Sequence, residues 1–473
     1  MKFNWMRRAA AFALCGALLA VPALAAEEPA PQLPDAWAVA ELADSYALGL
    51  VDDSYTTYIQ STVTAEQLET MTGIVADKLA VLELPQRTAD TAGLVVDTTR
   101  GGVMNALYQE AAAYDIDGVE DGPEAFLTGL GVVQGDRSGE LNEERPCTYQ
   151  EAMTMAKRLI LAVYDANDAG SRGLLWKAVN GDNTLYLLGT IHMDRSNAYP
   201  LHKSVRDALD AAQVVSFELD LNDQEGMALL ASLQTYSDGT TLADHISPEL
   251  YARVQAAAVA LGMGPNDFDS YKPWALASTF GVLSLQDDTT SANAMAVDSY
   301  INAYAVNAGK TIDAVETYAF QGGIFDGLSP EYQELYLAGG LLMTLDVDTM
   351  DQETRDALVA VLGEEALEPA TQEAIQAQVD QISAMMETWK NRDVAGFEKI
   401  YNKEAILESD DELNSKLFLD RDPGMIQYAA DYLSQEGSHT GLMVVGAGHM
   451  VGDTGIVQGL IDQGYTVEVV PNP

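Results

Sequence analysis

The sequence predicts an α/β protein, with a mixed sheet flanked by helices and broken by a helical insertion. A small, mainly helical region precedes it. Three observations carry this expectation. From about Leu174 onward, short runs rich in β-branched and aromatic residues alternate with amphipathic stretches at helical spacing. Residues 37–170 lack such runs and read as helices joined by Gly-rich turns. The hydrophobic fraction of 48% over 473 residues is that of a globular chain long enough for more than one core.

The elements follow in order. Residues 1–26 read as a secretory signal: Lys2, Arg7 and Arg8 precede an apolar run too short to span a bilayer, and Ala23-Leu24-Ala25 supplies a cleavage site. Cys15 lies inside that run, so a lipid anchor is not expected, and Cys147 then has no cysteine to pair with. No later run is apolar enough to span a membrane, so the mature chain is expected to be soluble, and the signal makes the expected location secreted or extracellular. Residues 27–36 are a Pro-rich linker. With 72 acidic against 25 basic residues, the chain is unsuited to nucleic acid and anionic membranes.

Region 37–170 contains a weak repeat in which a helix, a Gly-containing turn and a Thr-opened helix recur. Thr64 and Thr148 are placed as N-caps, with Glu66 and Glu151 near the positive helix start. The two copies resemble the S-layer homology module, which attaches bacterial surface proteins to cell-wall polymers. Where that family has T-R-A-E, this chain has T-A-E-Q (64–67) and T-Y-Q-E (148–151), without the arginine in either copy. The resemblance implies a cell-wall polymer as a partner of residues 37–165.

In region 171–473, strands are expected at 174–179, 184–189, 214–220, 311–316, 441–446 and 465–470, with a hairpin turn at Asn180-Gly181. Helices are expected at 202–213, 248–262, 292–309 and 371–393, and most of 222–440 reads as a helical insertion. Two strands end alike, LYLLGTIHM at Gly189 and His192, and GLMVVGAGHM at Gly446 and His449. One further strand holds Glu218 and another ends at Glu316. If these strands are parallel, their carboxyl ends share the edge where open α/β sheets place ligands. Two imidazoles and two carboxylates there suit Mn, Fe, Co or Zn, and the glycines let the chain turn sharply beside the site. The competing reading makes each histidine structural and pairs Glu218 with Arg206 or Lys203. His202, His245 and His439 are read as surface or capping residues. GAGHMVG imitates a dinucleotide fingerprint, but no second mononucleotide half follows it.

GTIHM, YPL (199–201) and VVSFELD, with LDRDPGM (419–425) and the closing GLMVVGAGHM segment, resemble the TraB/GumN (PrgY) family. YKPW (271–274), GKTIDAVET (309–317) and TWKNRD (388–393) match its middle signatures, so the likeness covers about residues 173–471. The family is similar to the Tiki-type metalloproteases. The resemblance implies an erythromycin-esterase/ChaN-like fold and metal-dependent hydrolysis of a peptide or protein substrate, with Mn or Co favoured and Zn or Fe as options. It implies that His192 and His449 bind metal or orient a metal-bound water, that Glu218 is a ligand or the general base, and that Glu316 completes the metal shell. It further implies that Arg421 stabilises an oxyanion or clamps a substrate carboxylate, and Tyr271 and Trp274 are expected to line the substrate pocket. The family usually has Arg-Asn where this chain has Arg421-Asp422. The alternative is a non-catalytic surface protein that binds metal, haem or a peptide in the same pocket.

Overall fold

The computed structural model describes residues 31–88, 90–191, 196–285, 295–345, 349–367, 372–409 and 411–472. The signal segment and His192 lie outside these.

The chain folds as an α/β protein around one six-stranded sheet. Strands β1 (Leu174–Asn180), β2 (Asn183–Thr190), β3 (Val214–Phe217), β4 (Thr311–Ala314), β5 (Thr440–Gly446) and β6 (Thr466–Val469) lie in the order β4-β3-β5-β2-β1-β6. β1 and β2 form the expected hairpin, and Gly181 takes the left-handed conformation its turn requires (φ +59°). β4, β3, β5 and β2 are mutually parallel, and β6 runs antiparallel to β1, so the sheet is mixed. Burial follows position. β5 is buried from Gly441 to Gly446, as a central strand covered on both faces should be, whereas the edge strands β4 and β6 are half-exposed.

Register decides what meets at the carboxyl edge. Gly189 pairs with Val445 and Thr190 with Gly446, so the two G-x-x-H stretches leave neighbouring parallel strands at the same level. Beyond β3 and β4 the backbone pairing continues, with Glu316 N–H donating to Glu218 O at 2.9 Å. Between β3 and β5 the insertion is helical apart from β4, and the expected helices appear as Pro248–Ala260, Val297–Asn307 and Gln372–Lys390.

The TWKNRD signature clamps the sheet. The Trp389 ring is fully buried and its Nε1–H donates to Gly189 O at 2.7 Å. Arg392 donates from Nε to Gly173 O and from Nη1 to Val470 O, both at 3.0 Å, tying the start of β1 to the end of the chain. Burial pulls the Arg392 guanidinium down to about 10.

The N-terminal region is helical, with Ala36–Ala47, Ala65–Ala80, Arg100–Ala112, Pro123–Gly129 and Tyr149–Ala166. Thr64 forms a capping box with Gln67, and the Glu151 carboxylate reaches back to Thr148 N–H at 3.0 Å. The loops before these two caps face each other, joined by Val63 N–H to Cys147 O at 2.9 Å. Cys147 is buried as a small apolar residue, and burial pushes its thiol up to about 12. A third Thr-opened helix, capped by Thr99, escaped the sequence reading.

Burial opposes ionisation of Glu151, but bonds from Arg145 and Thr148 win and hold its carboxyl down at about 2. A depressed carboxyl contributes stability above its unfolded value of 4.5, and that contribution is lost as pH falls toward 2. Glu151→Gln should therefore melt earlier than wild type at pH 7, with the gap closing on acidification; scanning calorimetry across pH 7 to 2 checks this.

This region is docked rather than tethered. The Tyr300 hydroxyl on helix Val297–Asn307 donates to Asp44 Oδ1 at 2.7 Å, and Lys157 Nζ bonds Asp44 Oδ2 at 3.1 Å and Glu41 Oε2 at 2.6 Å. Lys78 Nζ donates to Tyr199 O at 2.8 Å.

Candidate functional site at the carboxyl edge of the sheet

Four elements supply the site. β3 and β4 run out into Glu218 and Glu316, β5 runs through Gly446 into the short helix Ala447–Met450 bearing His449, and Arg421 caps helix Asp422–Leu433. Arg421, with its side chain 4% exposed, sits between the two glutamates. Its Nη2 lies 2.6 Å from Glu218 Oε2 and 2.7 Å from Glu316 Oε2, and its Nε lies 3.1 and 3.0 Å from the Glu316 oxygens. Gln321 adds a donor to Glu316 at 2.9 Å and to Glu218 at 3.3 Å. Glu218 Oε1 accepts Gly446 N–H at 2.8 Å and lies 3.9 Å from His449 Nε2. The other nitrogen of His449, Nδ1, lies 2.7 Å from Asp422 Oδ1, and Lys403 Nζ lies 2.7 Å from Asp422 Oδ2. Burial lowers the Lys403 amine and Asp422 opposes that shift. A cavity of about 320 Å³ lies beyond Lys403, bordered by Trp176, Glu398, Glu404 and Asp453.

Glu218, Glu316, Arg421 and His449 are thus brought together. Glu218 does not pair with Arg206 or Lys203, which are held by Asp165 and Asp207. Glu316 was expected to complete a metal shell, but its oxygens face Arg421 and Gln321. Arg421 likewise faces the glutamates, where a substrate clamp was expected. A buried guanidinium needs counter-charges, and these two are the ones the strand ends provide. Among the described residues, no group of three or more His, Cys, Asp or Glu side chains is placed to hold a metal ion. In donor chemistry, His449 Nε2 and Glu218 Oε1 fit two positions on one divalent ion, the imidazole being backed by a carboxylate as metal-binding histidines usually are. His192, expected as the second imidazole, lies outside the described residues.

Gly189 acts by space, not by turning. Gly446 has φ −54°, open to any residue. A Cβ on Gly189 would sit 3.0 Å from Ala447 Cα, and one on Gly448, which the sequence reading passed over, 2.3 Å from the Tyr401 hydroxyl. The expected pocket residues lie in the helical insertion. The Trp274 ring is buried against Phe325 (centroids 5.5 Å apart), with Nε1–H donating to Asp326 at 3.3 Å. Tyr271 is half-buried beside Phe268, 6.4 Å between ring centroids. Of the histidines read as surface or capping, His202 caps helix Lys203–Ala211 but is buried against Asp168. His245 is exposed and stacks on Tyr236, and His439 contacts Glu436 O.

Asp422, Lys403 and Gln321 were missed. The one signal for Asp422 was the departure from Arg-Asn. Lys403 and Gln321 belong to no strand-end pattern.

Comparison with known proteins adds two matches. Residues 174–469 match the model of the TraB/PrgY/gumN family. A stretch of 82 residues, 17% of this chain, is 33% identical to "Metalloprotease TIKI1" of Danio rerio and spans 16% of that relative's length. No solved structure matches the chain. No helix among the described residues is long and apolar enough to cross a membrane.

Proposed function

Because this chain belongs to the TraB/PrgY/gumN family, we propose that it is a secreted metal-dependent hydrolase that cleaves peptide bonds, built on an erythromycin-esterase/ChaN-like sheet. The observation that carries the proposal is the convergence of His449 Nε2 and Glu218 Oε1, 3.9 Å apart, at the carboxyl edge of four parallel strands. The partial likeness to a metalloprotease supports the reaction class.

In this reading His449, Glu218 and His192 hold the divalent ion, with Mn or Co favoured. A bound ion there supplies the Lewis acidity that activates water. Arg421 and Gln321 hold the Glu218 carboxylate, whose Oε1 is further fixed by Gly446 N–H. Glu316 is the second counter-charge that keeps Arg421 in place. A carboxylate neutralised in this way makes a better-oriented ligand than proton acceptor, so Glu218 acts as ligand.

The test is cleavage of a peptide library by the purified protein with Mn²⁺ or Co²⁺. Wild type should cleave, chelator should stop it, and His449→Ala and Glu218→Gln should each lower kcat/KM at least about hundredfold. Tight metal uptake with no cleavage under any metal would replace this reading with a non-catalytic binder. The engagement of both glutamates by Arg421 favours that second reading. A cell-wall polymer is a proposed partner of residues 37–165, tested by retention of the full chain on isolated walls.

A further inference from the structure

The side of His449 that faces away from Glu218 is built with more care than a spectator histidine needs. Asp422 is buried to 1% exposure at the first position of its helix, where an acidic side chain ordinarily faces solvent and complements the helix dipole. Its two oxygens are divided, Oδ1 to His449 Nδ1 and Oδ2 to Lys403 Nζ, each at 2.7 Å. Lys403 is equally buried and also donates to Val451 O at 3.2 Å, tying down the chain two residues past His449. The Phe418 ring closes the group, its centroid 4.9 Å from Lys403 Nζ and 5.4 Å from the His449 ring centroid.

We propose that Asp422 and Lys403 are positioning residues that fix His449 in the Nδ1–H tautomer, so that its Nε2 lone pair faces Glu218 Oε1. Two unlike charges buried together cost less than one alone, so the lysine ammonium makes it possible to keep a carboxylate here beside a neutral imidazole. A carboxylate with an ammonium on one oxygen is an acceptor at the other, so Nδ1 must be the donor. In a neutral ring only Nε2 is then left with a lone pair, whereas an imidazolium would carry N–H at both nitrogens. An asparagine at 422 could present either its oxygen or its N–H₂ to Nδ1 and would not enforce this choice. The aspartate, paired with a buried lysine, removes the ambiguity. The purpose of the arrangement rests on the hydrolase reading; its test does not.

The test is imidazole nitrogen NMR on the full chain labelled with ¹⁵N-histidine and treated with chelator, with the His449 signal assigned by its loss in His449→Gln. The expected result is a neutral Nδ1–H ring in wild type. Asp422→Asn should mix in or switch to the Nε2–H form and weaken Mn²⁺ binding, titrated with the ion alone, by about 10–100-fold. An Nε2–H ring or an imidazolium in wild type near neutral pH overturns the proposal. So does an Asp422→Asn protein with unchanged tautomer and affinity. If Asp422→Asn does not fold, the wild-type spectrum decides, together with Lys403→Met, which should also disturb the tautomer. An Nδ1–H ring in a protein that takes up none of Mn²⁺, Co²⁺, Zn²⁺ and Fe²⁺ would uphold the tautomer and sink the hydrolase reading.

Discussion

Replacing Arg421 with alanine is expected to destabilise the protein by about 3–5 kcal/mol, because it strips the counter-charge from two buried carboxylates at once. The Glu218 and Glu316 side chains are 12% and 5% exposed, so water cannot solvate them well enough to compensate. Gln321 is the polar side chain left to both, and an uncharged amide does not neutralise a carboxylate. Equilibrium urea unfolding measures the loss. The control is the triple change Arg421→Met, Glu218→Gln and Glu316→Gln, which removes all three charges together. It should recover most of the lost stability, since burying an apolar and amide cluster avoids the desolvation penalty. If Arg421→Ala unfolds at the wild-type midpoint, the ion cluster is not the buried unit described above. The triple variant should be stable, and its loss of the peptide hydrolysis proposed above would separate the folding role of the cluster from a chemical one.

The second large effect lies at the docking face of the N-terminal region. Lys157→Met leaves Glu41 and Asp44 facing each other with Arg158 as the nearest remaining cation, and Asp44 keeps the Tyr300 hydroxyl as a donor. Breaking a buried pair by removing one partner costs about 3–5 kcal/mol. Because Asp44 bonds across to helix Val297–Asn307, the loss should appear as a change in cooperativity as well as in midpoint. Wild type is expected to melt in one calorimetric transition, and Lys157→Met in two, with the N-terminal helices leaving first. A single unshifted transition would show that the two regions are held by their apolar contacts alone.

Much of this architecture was legible in the sequence. All six strands were found within a few residues, because runs such as LYLLG and LMVVG are buried on both faces and carry no competing helical period. The meeting of Glu218, Glu316 and His449 was legible because each sits at or just past a strand end, where topology brings them to one edge, whereas Arg421 was singled out through the family resemblance. Their partners were not. That Glu316 faces a guanidinium depends on how one arginine side chain bends back over the start of its helix, and no spacing encodes that. The Lys403–Asp422–His449 chain joins three elements far apart in sequence, and a buried lysine leaves no mark on hydrophobic periodicity. Trp274 and Trp389 show the same limit from the other side. Both stand in signature-like stretches, yet they serve as packing in the insertion and as a prop for the carbonyl of Gly189.

The strand order also constrains when the site can exist. β5 is inserted between β3 and β2, at the centre of the sheet, yet it is the fifth strand to be synthesised, and it leads directly into His449. A nascent chain that has reached Leu433 lacks β5 between β2 and β3, leaves Glu218 without its Gly446 N–H and has no His449 at the edge. The cluster is therefore withheld until β5 and the short helix bearing His449 have emerged, whatever the site goes on to do.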